Sequence, residues 1–93
     1  MKAKFLIILE KGGRNYSAYS PDIPGCIATG RSVEATLNEM RAALVFHIEG
    51  LLQNGDAVPS PKSLNYYIDK TDEISSDDIL AHIEIEIPEP AFA

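Results

Sequence analysis

The chain has 93 residues, of which 14 are acidic and 8 are basic, so its formal net charge is −6. That length suits one domain over residues 1–93 with one hydrophobic core. A content of 45% hydrophobic and 24% charged residues excludes wholesale disorder. The acidic balance disfavours direct binding of nucleic acid, because phosphate contacts require a basic surface. It is compatible with a basic protein partner.

The single cysteine and the N-terminal sequence indicate the cellular compartment of the protein. Cys26 is the only cysteine of the sequence, so it is expected to be a small buried residue and not part of an intrachain disulfide. The apolar run after Lys2 and Lys4 is too short for a secretion signal. No apolar run approaches the roughly 20 residues that cross a bilayer. We therefore expect a cytoplasmic protein without a membrane segment.

The first third of the chain predicts three antiparallel strands. Residues 4–10, "KFLIILE", form an apolar run, and Gly12 and Gly13 are expected to supply the positive φ angles of a tight hairpin. Residues 15–20, "NYSAYS", alternate as a second strand. A third short strand is expected at residues 26–30, "CIATG". Together these strands make an antiparallel meander.

Residues 33–54 predict one long helix. Ser32 is placed as its N-cap, and Gly55 as the residue that ends it, with Pro59 preventing resumption. The apolar positions recur at helical spacing along one face: Val33, Leu37, Met40, Leu44, Ile48 and Leu51. Gly50 interrupts this helix, and two explanations stay open: a close approach of its backbone to the sheet or a partner, or fraying near the helix end.

The last third predicts a turn, a short helix after Ser63, an acidic loop and a final strand. In "ILAHIEIEIP", residues 79–88, apolar and polar side chains alternate, which is typical of a strand with one buried face. The isoleucines Ile83, Ile85 and Ile87 are expected on the buried face, and His82, Glu84 and Glu86 on the other.

The connector "PDIPG", residues 21–25, joins the second and third predicted strands. Pro21 and Pro24 fix φ and remove two amide donors, so they are expected to end the second strand. Gly25 permits the backbone conformation that begins the third strand. Asp22 is expected to accept hydrogen bonds from nearby amides and steady the bend.

No pattern for a cofactor or a catalytic residue emerges. The acidic segment 69–78 lacks the glycine that a calcium loop needs. His47 and His82 have neither a cysteine nor a close carboxylate array to complete a zinc site. We therefore predict no metal, no cofactor and no enzyme activity.

The ordered combination of these features resembles the HicB antitoxin family. The matching residues are Pro21, Asp22, Ile23, Pro24 and Gly25 in the connector, Gly30, Ser32, Val33, Glu34 and Ala35 at the helix start, and Gly55, Pro59 and Pro61 after it. The resemblance spans nearly the whole chain. It implies an incomplete RNase H-like α+β fold of order β-β-β-α-(short helix)-β, in which one long helix packs across an antiparallel meander.

The resemblance also implies a role, namely binding and neutralising a small basic HicA-type toxin that cleaves messenger RNA. Many relatives continue into a DNA-binding domain, and this sequence is expected to lack one. Candidate partner-binding residues are Asp22, Ile23 and Pro24, in a connector expected to be rigid and exposed. Glu84, Glu86 and Glu89 are further candidates on a negative strand face. The alternatives are a structural turn and a solvated strand face.

Two other functions stay open. One is an orphan homo-oligomer, a dimer or a tetramer, which self-associates through a sheet edge or the helix and has no toxin partner. The other is a Mg²⁺-dependent nuclease of the RNase H type. That chemistry requires converging carboxylates, one of them in the middle of the first strand, where this sequence reads "FLIIL".

Overall fold

The structure is a computed structural model that describes residues 1–70 and 72–88. Its elements are β1 (Lys2–Lys11), β2 (Tyr16–Ser20), β3 (Ile23–Gly30), α1 (Val33–Gln53), α2 (Leu64–Lys70) and β4 (Ile79–Glu86). The predicted α+β order, with three strands, a long helix, a short helix and a closing strand, is confirmed.

The four strands form one antiparallel sheet in the order β3-β2-β1-β4. β1 lies inside the sheet and pairs with β2 on one side and with β4 on the other. Leu9 marks the register, since it opposes Ala18 of β2 and Ile79 of β4. The long apolar first strand is therefore central, and the half-polar last strand lies at an edge.

The burial of β1 explains its continuous apolar sequence. Alternate residues, including Phe5 and Ile7, belong to the core beneath α1, while Leu6 and Ile8 point to the opposite face and are also buried. A strand covered on both faces reads as an unbroken hydrophobic run. β4 shows the other pattern, because its isoleucines are buried and its glutamates are exposed, as predicted.

Both predicted ends of α1 are confirmed. The Ser32 hydroxyl accepts from the Ala35 N–H at 3.0 Å. At the other end Gly55 has φ of +74° and its N–H donates to the Leu52 carbonyl at 3.1 Å, while the Asp56 N–H donates to the Leu51 carbonyl at 2.9 Å. This pair of bonds is a Schellman motif, which satisfies carbonyls that the helix leaves open.

The prediction for the first hairpin turn is wrong. Among the described residues, only Gly25 and Gly55 have positive φ, so Gly12 and Gly13 do not supply a left-handed turn. Lys11 opposes Tyr16, and the loop therefore has four residues rather than two. Four-residue hairpin loops are built around right-handed turns, and here the Gly12 N–H donates to the Asn15 carbonyl at 2.7 Å.

The predicted start of the third strand is also wrong, because β3 begins at Ile23 and not at Cys26. Ser20 opposes Ile23, whereas the preceding residue Tyr19 opposes Ile27. Residues 24–26 therefore bulge out of the ladder. An edge strand tolerates a proline at such a bulge, since no ladder bond needs the missing N–H.

Gly50 does not approach the rest of the chain closely. A Cβ built at this position meets nothing within 4 Å. The explanation that the backbone of α1 comes close to the sheet at this residue is therefore wrong. Fraying and contact with a partner remain open as explanations.

Candidate functional site

The connector between β2 and β3 folds into a two-residue turn. Pro21 and Asp22 occupy the turn, and Ser20 and Ile23 pair across it. Asp22 is 4% exposed and Ile23 is fully buried in the core, while Pro24 is exposed. The expectation that the whole connector is exposed is thus wrong for Asp22 and Ile23.

The Asp22 carboxylate is the centre of this turn because it accepts hydrogen bonds from three segments of the chain. Its Oδ2 accepts from the Leu6 N–H of β1 at 3.0 Å. Its Oδ1 accepts from the Lys62 N–H at 2.9 Å and from the Tyr67 hydroxyl of α2. Asp22 is an acceptor at the bend, as predicted, but the prediction that its donors are nearby amides is wrong, because all three come from distant positions in the chain.

The end of the β1–β2 ladder explains why β1 needs this carboxylate. The register between the two strands ends where Ile8 opposes Tyr19. Two residues further on, the chain turns away at Pro21 and Asp22. The Asp22 side chain then takes the place of a strand partner for the Leu6 N–H. A buried amide without such a partner costs free energy.

Tyr67 ties the short helix to the connector. Burial, followed by the hydrogen bond to Asp22 and its negative charge, raises the pKa of the Tyr67 phenol above its usual value. The phenol therefore stays protonated, and remains a donor, across the neutral range. Through this bond α2 is held against the turn.

Beside the turn lies a groove of about 500 Å³ that opens to solvent. It is lined partly by Pro24, Ile27 and Tyr67. Ile27 is 71% exposed, although it is a large apolar residue on an edge strand. Cys26, in the same wall, is buried as predicted, and burial raises the pKa of its thiol. The thiol is thus held in its unreactive protonated form.

Gly30, which the sequence marked as part of the motif at the helix start, has a structural reason that the sequence did not show. A Cβ at this position would lie 2.6 Å from Thr36 Oγ1 and 2.7 Å from the Thr36 backbone nitrogen. Only glycine therefore allows the end of β3 to pass this close to the first turn of α1. Thr36 is fully buried there, and its hydroxyl donates to the Ser32 carbonyl at 2.7 Å. The position of Gly30 just before a helix cap was the available signal.

The glutamates of β4 form the second candidate surface. Glu84 and Glu86 are exposed on the face turned away from α1. Each has a basic neighbour at the start of the chain: Lys2 Nζ lies 3.9 Å from Glu84 Oε2, and the Met1 amine lies 3.2 Å from Glu86 Oε1. The negative charge of this face is therefore partly compensated. Glu89, the third predicted member, lies outside the described residues.

The two candidate surfaces lie on opposite edges of the sheet. Pro24 belongs to β3 and the glutamates belong to β4, with β2 and β1 between them. At about 4.8 Å per strand, the separation across the sheet is about 14 Å. A small partner that contacts both surfaces must therefore span the width of the sheet, and otherwise it contacts a single edge.

Metal-ligating side chains are dispersed in the part of the chain that the structure describes. Within it, no group of three or more His, Cys, Asp or Glu side chains is placed to hold a metal ion. His47 is half-buried on α1, and His82 is exposed on β4. No helix among the same residues is long and apolar enough to cross a membrane.

The four-stranded antiparallel sheet with one long helix is the fold of HicB antitoxin domains. The N-terminal domain of Burkholderia pseudomallei antitoxin HicB superposes with a TM-score of 0.74 at 24% identity, covering 90% of this chain and 99% of that one. A chain of the HicA3 and HicB3 toxin–antitoxin complex gives a TM-score of 0.72 at 30% identity, covering 90% and 99%. The antitoxin HicB3 gives 0.73 at 31% identity, covering 89% and 62%.

The sequence comparisons define the family. The family described as the HicB_like antitoxin of bacterial toxin-antitoxin systems matches residues 5–90. The chain therefore belongs to the HicB-like antitoxin family. It is also 31% identical over 64 residues to an uncharacterized 14.9 kDa protein from the rep-hol intergenic region of Haemophilus phage HP1 (strain HP1c1). That match covers 69% of this chain and 48% of the phage protein, so it spans about half of that relative's length.

Proposed function

We propose that this chain is a non-catalytic antitoxin that binds and neutralises a small basic HicA-type toxin, which cleaves messenger RNA. The observation that carries the proposal is the similarity to a chain of the HicA3 and HicB3 complex. It extends over 90% of this chain and 99% of that one, at 30% identity. Family membership over residues 5–90 supports the same class of partner.

Neutralisation is steric in this proposal, since the domain covers the RNA-binding and catalytic surface of the toxin. The charge of −6 supports a basic partner. Complementary charge speeds the encounter and fixes orientation more than it raises the final affinity. We therefore expect the association rate to fall steeply with salt concentration.

Within the proposed interface, the connector and the strand face have different roles. Pro24, Glu84 and Glu86 are exposed, so their side chains can contact a partner directly. Asp22 and Ile23 are buried, and in this proposal they act by fixing the shape of the turn that presents Pro24.

The proposal excludes nuclease activity on the basis of side-chain chemistry. Metal-dependent cleavage in this fold requires carboxylates that converge on the middle of the first strand. Residues 5–9 of β1 are all apolar and buried. The Asp22 carboxylate, which accepts from the Leu6 N–H of this strand, is occupied by three protein donors.

The proposal predicts that a neighbouring reading frame encodes a small basic protein, and co-expression of the chain with that protein tests it. We expect the chain to restore growth inhibited by that protein and to co-purify with it. The variant Glu84→Lys/Glu86→Lys should slow association at least about 10-fold at low salt. The control Glu34→Lys/Glu39→Lys makes the same charge change at exposed positions on α1. Failure to restore growth, with no complex, contradicts the proposal.

Self-association is the second candidate function, favoured by one observation on α1. Phe46 is 81% exposed, and Val45 beside it is partly exposed. Such side chains are buried when a second copy packs against the helix. Light scattering of the purified protein checks this, with Phe46→Ser as the variant expected to be monomeric. A wild-type monomer at high concentration contradicts the second candidate.

A further inference from the structure

The outer edge of β4 is an open sheet edge, since β4 is the last strand in the order β3-β2-β1-β4. We propose that a basic, extended strand of the toxin pairs with this edge and continues the sheet. The inference rests on the proposed function and names the surface through which that function operates. Pairing of this kind uses backbone hydrogen bonds for affinity and alternate side chains for specificity.

Three contacts fix which backbone groups of β4 face outward. The Ile87 N–H donates to the Met1 carbonyl at 2.7 Å, so odd-numbered residues of this segment point towards β1. The Leu6 N–H points the other way, towards Asp22, and Leu6 is the partner of His82. In an antiparallel ladder, two opposed residues either both bond to each other or both point away. The N–H and carbonyl groups of His82 therefore face the open edge. Those of Leu80, Glu84 and Glu86 also face outward, because alternate residues of a strand point their backbone groups to the same side.

A side chain from α1 covers one part of this edge. Arg41 Nη1 donates to the Glu84 carbonyl at 2.9 Å. This side chain therefore occupies one outward carbonyl of β4. Edge strands are commonly blunted by a charged side chain in this way. The stretch from Leu80 to His82 lies beyond Arg41 and presents outward backbone groups for pairing.

The opposite edge of the sheet is unsuitable for a second strand. β3 bulges at residues 24–26, where its register with β2 shifts. Pro24 has no N–H to donate, and bulges twist an edge away from regular pairing. Of the two edges, β4 therefore has the longer regular ladder.

The chemistry around β4 selects a basic partner strand. Between residues 72 and 86 the sequence carries six carboxylates and no lysine or arginine. Glu84 and Glu86 lie on the strand, where Lys2 and the N-terminal amine are near them and Arg41 lies at the Glu84 carbonyl. The other four, Asp72, Glu73, Asp77 and Asp78, belong to the loop before the strand. A second copy would bring its own acids against these, so like charges oppose self-pairing through this edge.

Two apolar side chains complete the docking surface. Ile79 is 37% exposed and Leu80 is 39% exposed, although both lie on a strand of the main sheet. They project to opposite faces of the sheet. A partner strand with apolar residues beside its basic ones would cover both.

A proline at position 82 tests the edge without disturbing the sheet, because the His82 N–H faces outward and makes no bond to β1. His82→Pro removes that donor and places a ring where the partner strand would lie. His82→Ala is the matched control, since it removes the same side chain and keeps the N–H. We expect His82→Pro to weaken toxin binding at least about 10-fold, and His82→Ala to bind like the wild type. Thermal unfolding verifies that both variants are folded.

Amide hydrogen exchange of the wild-type chain provides a test that no folding defect can obscure. In the free protein, the outward amides of Leu80 and His82 should exchange quickly, and the inward amides of Ala81 and Ile83 slowly. Addition of the toxin should slow the outward pair at least about 10-fold. Outward amides that stay fast in a formed complex, or a His82→Pro variant that binds normally, overturn the edge proposal and leave the antitoxin function standing. A wild type that forms no complex overturns both.

Discussion

Removal of the Asp22 carboxylate should be among the most destabilising single changes to this protein. Asp22→Ala leaves three donors without their acceptor. The Leu6 N–H is buried, whereas the Lys62 N–H and the Tyr67 hydroxyl are part-buried and can recover water. A stranded buried donor costs about 2 kcal/mol, and a donor that rehydrates about 1 kcal/mol. We therefore expect a loss of about 4 kcal/mol, a large share of the roughly 5–14 kcal/mol typical of a domain of this size.

Asp22→Asn separates the loss of acceptors from the loss of packing. The amide fills the same space but has one acceptor oxygen, so at least one of the three donors must face its NH₂ group. The expected loss is about 2 kcal/mol, which is half that of the alanine variant. Tyr67→Phe removes a single donor and should cost about 1 kcal/mol in the wild type. In the Asp22→Ala background it should cost little, because the acceptor is already missing.

Urea unfolding followed by circular dichroism measures these differences, with Asp77→Ala as the control. Asp77 is an exposed aspartate in the loop before β4, so its replacement should change stability by less than about 0.5 kcal/mol. An Asp22→Ala variant within that same margin of the wild type would refute the interpretation of Asp22 as the anchor of the turn. Equal losses for Asp22→Ala and Asp22→Asn would instead indicate that charge, and not the set of donors, stabilises the turn.

Three further changes test other parts of the structure by urea or thermal unfolding. Gly30→Ala should lower the free energy of unfolding by about 2 kcal/mol, since its Cβ would lie 2.7 Å from a backbone nitrogen of α1. Gly50→Ala should instead raise it by about 1 kcal/mol, because its Cβ meets nothing within 4 Å. Equal effects of the two changes would contradict the close packing at Gly30. Ser32→Ala should cost about 1 kcal/mol through the lost N-cap, and a neutral result would contradict that bond. The folded protein raises the pKa of Tyr67 from 10.0, so the stabilising contribution of the neutral phenol is complete below pH 10 and declines as pH rises towards the higher folded pKa. Tyr67→Phe should therefore flatten the fall of unfolding free energy above pH 10, and an unchanged slope would contradict the bond to Asp22.

Local sequence patterns predicted the elements that obey local rules. The alternation of Ile83 and Ile85 with Glu84 identifies a strand with one buried face, because successive side chains point to opposite sides. The caps of α1 were predictable for the same reason, since Ser32 and Gly55 act through backbone groups within one turn of the helix.

The errors occurred where pairing across the sheet decided the conformation. Two adjacent glycines suggest a tight left-handed turn, but the length of the first loop is set by which residues pair, Lys11 and Tyr16. The start of β3 likewise depends on Ile23 entering the core, which carries Pro24 into an edge strand. Local propensity contains no information on which residues pair across the sheet or on which residue enters the core.

The sequence by itself determined the family, the order of the elements and the presence of a rigid turn at "PDIPG". Each of these depends on residues near one another in the chain. Only the tertiary structure decided what that turn does, because the donors to Asp22 come from positions 6, 62 and 67. It also decided which strands form the edges of the sheet, since that follows from strand order. Contacts between distant segments depend on how their backbones meet in space, and no short pattern encodes that meeting.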